Sequence, residues 1–295
     1  MGRIIRMRWP EGKRGAFTTS YDDGRMEDFR LASLMRENGI KGTFNINTGL
    51  FWDEEKADPK KNPNHRRMRR SELLRFAEEY KDLAEIAVHC VTHPDLSTLS
   101  PAEIVREVVD DRAAIEKDLG VICRGMAYPY GRTSDTAVSA IASCGIAYSR
   151  TIRATKDFAV PTDWLRLDPT CHHTTSDLFE ILDAFAEQIQ NPKTLPRLFY
   201  LWGHAYEFDD NDDWDRIEEF LKKAGGREDV WYATNIEVYD YVKAFEALIW
   251  SADGTRVYNP TFTPVYFSVN KYAADQTERI FRVASGETLE TGDLV

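Results

Sequence analysis

Short apolar β-like runs and amphipathic helical stretches alternate about eight times along most of this chain. Few folds accommodate that order. Strands separated by helices pair in parallel, with the helices packed outside the sheet. At this length the expected architecture is α/β, a (β/α) barrel, with an open doubly wound sheet as the alternative. No GxGxxG follows the first strand, which counts against a dinucleotide site. The pattern predicts strands over 15–20, 41–47, 84–88, 121–127, 146–149, 164–167, 198–202 and 230–233. Helices are expected over 26–38, 71–80, 101–119, 133–144, 176–189, 214–224 and 235–249. The clearest helix start is Ser100-Pro101-Ala102-Glu103, which joins an N-cap serine, a proline at the first position and a glutamate at the third. From Ser251 the composition shifts to turn signals and short β-runs at 256–258, 265–269 and 280–283. The expected domains are therefore a barrel, 1–249, and a small C-terminal β-appendage, 250–295.

Charge narrows the partners. The net charge is −11 and the pI about 5.1. Such a chain repels nucleic acid and anionic membrane surfaces. No apolar run reaches bilayer-spanning length, and the first ten residues lack the apolar stretch of a signal peptide. A cytoplasmic location is the expectation, and the oligomeric state is left open. Cys90, Cys123, Cys144 and Cys171 are scattered without a CxxC and read as buried free thiols. The one dense basic run, His65 and Arg66-Arg67-Met68-Arg69-Arg70, closes a polar loop over 48–70. It reads as a solvated face, the alternative being a clamp for an anionic group.

In a parallel barrel the C-terminal strand ends face one mouth, where catalytic side chains collect. Here those ends carry Asp22-Asp23, His89 and His93, Tyr128-Pro129-Tyr130-Gly131, and His204. Two adjacent aspartates repel one another and call for a cation or a shifted pKa. Two histidines four apart can share a metal, and with Asp23 they form a two-histidine, one-carboxylate set. No glutamate follows His89, so the pattern is not HExxH.

These motifs, in this order, resemble the polysaccharide deacetylase family (carbohydrate esterase family 4, the NodB homology domain). The resemblance covers roughly residues 12–240. It implies a distorted (β/α) barrel that deacetylates an amino sugar or oligosaccharide. It also implies one divalent metal ion, zinc first, with cobalt, nickel, manganese or iron admissible. Asp23, His89 and His93 would hold the ion, Asp22 would be the base and His204 the acid. The Tyr130 backbone N–H would hold the oxyanion. Pro129, Trp202, Tyr206 and Trp164 are candidates for substrate contact. Three positions depart from the family pattern. Ala127 stands where an arginine usually orients the base, and Arg124 lies nearby but off register. Trp202 stands where a leucine usually lines the acyl pocket. Asp163-Trp164 is all that matches the fourth motif.

Other readings share parts of this set. A cyclic imide or ureide amidohydrolase uses the same barrel. A non-heme iron oxygenase also uses two histidines and a carboxylate, but its usual all-β barrel conflicts with the alternation. A carbohydrate-binding protein with a structural metal has no need of Asp22 or His204. The run Asp168-Pro169-Thr170-Cys171-His172-His173 reads as a loop edging the cleft, because adjacent side chains normally diverge.

Overall fold

The structure is a computed structural model and describes residues 3–52, 65–271 and 278–291. The chain enters through β1 (Arg3–Arg8) and reaches β2 (Gly15–Asp22), an eight-residue strand buried throughout. Then follow α1 (Asp28–Glu37), β3 (Gly42–Ile46), α2 (Arg70–Glu79), β4 (Ala84–Val88), α3 (Pro101–Leu119) and β5 (Gly125–Ala127). Next come α4 (Asp135–Ser143), β6 (Tyr148–Arg150), β7 (Cys171–His172), α5 (Leu178–Gln190) and β8 (Arg197–Gly203). The short α6 (Glu207–Asp210), then α7 (Trp214–Ala224), β9 (Val230–Tyr232) and α8 (Asn235–Glu246) complete the α/β part. β10 (Ile249–Trp250), β11 (Arg256–Tyr258), β12 (Val265–Lys271), β13 (Arg279–Val283) and β14 (Thr288–Glu290) follow.

Eight strands form one parallel sheet in the order β6-β5-β4-β3-β2-β8-β7, with β9 also on β2. β9 pairs with Gly15 to Phe17 and β3 with Ser20 to Asp22, so β2 holds a different neighbour at each end. The two outer edges meet through an irregular stretch. Leu167 bridges to Arg150 on β6, and four residues later Cys171 pairs with Leu201 on β8. The result is a distorted (β/α) barrel. Its interior is polar for a barrel: Thr18, Ser20, Asp22, Asn45 and Arg150 are all buried. Asn235, at the start of α8, is held there, accepting from the Thr18 hydroxyl and donating to that of Tyr200 at 2.8 and 2.6 Å. The larger apolar core lies outside the sheet, where Phe17, Tyr21, Phe44 and Phe199 meet α1, α2, α5 and α7.

Two boundaries differ from expectation. The 121–127 strand shrinks to β5, because Val121 and Ile122 remain in solvent at 46% and 78% exposure. The run 164–167 is a 3₁₀ turn capped by the Asp163 carboxylate, which accepts from the Arg166 N–H, and only Leu167 reaches the sheet. The appendage is also larger than its C-terminal residues. β1 pairs antiparallel with β12 in a β1-β12-β13 sheet, so the N-terminal strand joins a sheet of the appendage rather than the barrel sheet, while its Met7 packs on the barrel. A second small sheet runs β10-β11-β14. The Tyr241 hydroxyl on α8 ties the two parts, donating to Arg8 O at 2.6 Å and accepting from Tyr266 N at 2.9 Å. Among the described residues, no helix is long and apolar enough to cross a membrane.

Candidate active site

A regular strand sends successive side chains to opposite faces. The chain stops obeying that rule just past the end of β2. Asp23 has φ of 83° and Gly24 of 59°, so the backbone turns left-handed where the carboxylates meet. Asp22 keeps its interior direction and is 3% exposed. Asp23 swings instead toward the β4 loop, its Oδ1 3.8 Å from His93 Nε2.

His89 follows β4 directly and is 1% exposed. Its Nδ1 lies 2.8 Å from the Ala127 carbonyl, a partner that only accepts, so the proton sits on Nδ1. Nε2 is left buried with no hydrogen-bond partner and its lone pair free. Burial outweighs the pull of Asp22 and Asp23 and brings this imidazole down to about 4, so it is neutral near pH 7. Cys90 and His93 have φ of 67° and 59°, which curls the loop and brings the two rings within 4.8 Å. Asp23, His89 and His93 place three ligand atoms within 4.8 Å of one another. A neutral imidazole with a fixed tautomer and an orphaned buried Nε2 is the donor a divalent transition metal takes. The residues fit the ion that the motifs imply.

The group that orients Asp22 is Arg150, at the end of β6. Its fully buried guanidinium donates from Nη2 to both Asp22 oxygens. Asn45 adds a donor to Oδ1 at 2.8 Å. Burial alone would raise this carboxyl, but the Arg150 charge, helped by His89 and His204, brings it down to about 2. Position explains the missing arginine. Ala127 on β5 and Arg150 on β6 are direct partners in the parallel ladder. The cation has moved one strand sideways at the same height. Arg150 also lies over the Trp202 ring, 4.5 Å from its centroid, so the unusual tryptophan and the displaced arginine pack together. Arg124 faces the other end of the barrel, paired with Asp240.

His204 follows Gly203 at the end of β8, with Nε2 3.9 Å from Asp22 Oδ2. Its own backbone N–H donates to Glu207 Oε2 at 3.2 Å, and its Nδ1 lies 3.4 Å from the same oxygen. Burial would lower this imidazole, but Glu207, with Asp22, holds it above its ordinary value. The same Glu207 oxygen faces His172 Nε2 at 3.3 Å and His173 Nε2 at 3.1 Å. Burial works against the Glu207 charge, yet the three imidazoles hold the carboxyl far below the usual range. His172 and His173 therefore do not diverge as adjacent residues in a strand would. β7 ends at His172, Thr175 N–H closes a turn on its carbonyl at 3.1 Å, and the rings come within 4.5 Å. Cys171 alone points away, into the core. Gly203 is required here, because a Cβ would meet His173 Nδ1 at 2.0 Å.

The remaining candidates divide. Pro129 is buried and Tyr130 is exposed at the mouth, φ 57°, its ring edge-on to His93 with centroids 4.5 Å apart. Tyr206 is half-buried beside His204 at 5.2 Å. Trp202 lines the interior against Arg150 and His172. Trp164 is not brought to the site; it packs edge-on against Tyr239 on α8. Trp214 is also core, against Phe208. The basic run is paired with carboxylates of the chain, with Arg70 at its exposed end. Arg66 and Arg69 pair with Glu72, Arg70 with Asp118, and Arg67 with Asp23. The middle of the loop, 53–64, lies outside the described residues. A cavity of about 620 Å³ opens at the opposite end of the barrel, lined by Lys41, Glu85, Ile122 and Thr234, and takes in none of Asp22, Asp23, His89, His93 and His204.

Two more groups bring ligand-type atoms together, His172, His173 and Glu207, and Glu27, His65 and Asp209, and in each some members already face partners within the protein. His172 Nδ1 accepts the Thr174 N–H, which leaves its proton on Nε2, facing Glu207. In the group Glu27, His65 and Asp209, Glu27 already faces Arg25 and His65, and Asp209 accepts from Trp214 Nε1.

Comparison with known proteins bears on the family and the fold. Residues 10–149 match the polysaccharide deacetylase family model, a span that includes Asp22, Asp23, His89, His93 and Tyr130. A Mycobacterium smegmatis protein named as a candidate polysaccharide deacetylase shares the fold, with TM-score 0.57 and 16% identity over 82% of this chain and 94% of that one. The Streptococcus pyogenes deacetylase PplD, solved with acetate, is 22% identical with TM-score 0.42; the match covers 50% of this chain and 61% of that one. A family 4 carbohydrate esterase from Streptomyces lividans, also solved with acetate, is 16% identical with TM-score 0.46, covering 75% and 93%. The sequence motifs, the barrel and the match over residues 10–149 converge: this part of the chain is similar to the polysaccharide deacetylase family.

Proposed function

We propose that this protein is a divalent-metal-dependent hydrolase that removes the N-acetyl, or a closely related acyl, group from an amino sugar or oligosaccharide. The observation that carries the reading is the orphaned, buried Nε2 of His89, set among Asp23, His93 and Asp22. Asp23, His89 and His93 would hold the ion, with zinc the first candidate. When bound, the ion supplies electrophilic polarisation of the amide carbonyl and makes the attacking water more acidic.

The chain's own groups divide the proton transfers. Asp22, held ionised by Arg150, accepts the proton of the attacking water. His204, raised above its ordinary value by Glu207 against the effect of burial, gives a proton to the departing amine. The Tyr130 N–H is the candidate donor for the oxyanion, at a turn where the backbone is left-handed. Trp202 and Arg150 would floor the acyl pocket, and Tyr130 and Tyr206 offer aromatic faces to a sugar at the rim. A like-signed substrate is disfavoured by the net charge of −11.

The test is acetate release from N-acetylglucosamine oligomers. Protein stripped with a chelator is expected to release none, and added zinc or cobalt to restore turnover. Hydrolysis of a cyclic imide with no acetate from any acetylated sugar would overturn the reading in favour of the amidohydrolase alternative.

A further inference from the structure

Arg67 belongs to a basic run, but its guanidinium is committed to acceptors within the protein and its side chain is only 21% exposed. Nη2 donates to Asp23 Oδ1 at 2.9 Å, and Nη1 to the Asp23 carbonyl at 2.6 Å and to Asn47 Oδ1 at 2.7 Å. Asn47 passes the connection on. Its Nδ2 donates to the His89 carbonyl and, at 2.9 Å, to that of Cys90. A single chain of hydrogen bonds therefore runs from Asp23 to the turn that carries His89 and His93. From this we infer that Arg67 and Asn47 are positioning residues for the cation site. They set the spacing of its carboxylate and imidazole halves before an ion arrives. The inference rests on the proposed metal reading of Asp23, His89 and His93.

Both ends of the chain need holding. Asp23, Cys90 and His93 all have positive φ, at 83°, 67° and 59°. Non-glycine residues persist in that region only where their surroundings over-determine them. Arg67 is itself fixed by the backbone on either side. Met26 N–H donates to Arg66 O at 3.0 Å and Met68 N–H to Gly24 O at 2.8 Å, so its stretch is stitched to the aspartate turn. At the other end Gly49 N–H donates to Val91 O at 3.1 Å, and a Cβ on Gly49 would meet that oxygen at 2.6 Å. Asp111 adds a brace, accepting from Thr48 N at 2.8 Å and from His89 N at 3.0 Å. The β3 loop is thus built onto the histidine loop, and Arg67 joins it to Asp23.

Charge and geometry predict opposite results, which makes the inference testable. As a positive charge beside a ligand carboxylate, Arg67 opposes cation binding, and its removal would tighten it. As a positioning fork, it favours binding, and outer partners of this kind are worth about 10–100-fold in metal affinity. The experiment is chelator competition with zinc on the full chain, repeated with cobalt to read the ligand-field spectrum. Arg67→Met is expected to lose about 10–100-fold in affinity. Arg67→Lys, which keeps the charge but cannot span three acceptors, is expected to recover little of it. Asn47→Ala, tested in parallel should Arg67→Met not fold, is expected to weaken binding in the same direction. Unchanged or tighter binding in the folded variants overturns the inference and leaves the metal reading standing. A wild-type protein that binds neither ion overturns both.

Discussion

Arg150→Met is expected to lower the melting temperature by roughly 10 °C and to raise the acid limb of the pH–rate profile. Removing one partner of a buried ion pair costs about 3–5 kcal/mol, because the other charge is left unpaired. The pair here is dry: the Arg150 and Asp22 side chains are 0% and 4% exposed. Asn45 alone cannot replace a cation. The Asp22 carboxyl, depressed to about 2 by the nearby guanidinium against the effect of burial, would titrate much higher. The sign follows from that depression. The pair stabilises the fold above the unfolded carboxylate value and loses this contribution as pH falls toward 2. In the variant that acid-side contribution disappears, and so does part of the ionised base near neutrality. Turnover is expected to fall on the order of 10²-fold from lost placement alone. Thermal melts and pH–rate profiles check this, and a variant matching wild type in both would refute the assignment of Arg150.

Glu207→Gln is expected to move the alkaline limb of kcat/KM to lower pH. His204 is raised above its ordinary value against burial, chiefly by Glu207, with a second contribution from Asp22. Without the carboxylate the imidazole loses its proton earlier. The supply of general acid above neutrality then falls about tenfold for every pH unit by which the limb moves. The stability signs are opposite for the two partners. The raised His204 stabilises the fold below its unfolded value, and that contribution fades as pH rises through the folded one. The depressed Glu207 stabilises above its unfolded value, and that contribution is lost progressively as pH falls below it toward the folded one. A pH–rate profile unchanged from wild type would show that Glu207 does not tune the acid.

The strand-end groups were readable because each follows an apolar run and precedes a turn. Asp22, His89 and His204 needed only that alternation and the rule that strand ends share a mouth. What escaped notice depends on which strands are neighbours. Arg150 is 128 positions from Asp22 along the chain, and only the β5–β6 register, Ala127 beside Arg150, shows that it replaces the missing arginine. Glu207, three residues after His204, was visible as a spacing, but nothing marked the histidines it would face. Arg67 was hidden in a run whose charge count suggested solvent exposure, although Arg66, Arg67, Arg69 and Arg70 all have internal carboxylate partners. Trp164 shows the reverse error. A tryptophan beside a motif remnant suggested the cleft, whereas its indole packs against Tyr239 in the interior. Chain order placed the N-terminal strand with the barrel, but an antiparallel partner from near the other end of the chain claims it for the appendage.

The central claim is that two adjacent aspartates do different work, one on the water and one on the ion. It is tested most directly by comparing Asp22→Asn with Asp23→Asn for metal content and acetate release. Asp22→Asn is expected to retain its ion and lose on the order of 10³-fold in turnover. Asp23→Asn is expected to lose the ion as well as the activity. If Asp22→Asn turned over at the wild-type rate, or if Asp23→Asn kept its ion with undiminished affinity, the division of roles would be contradicted.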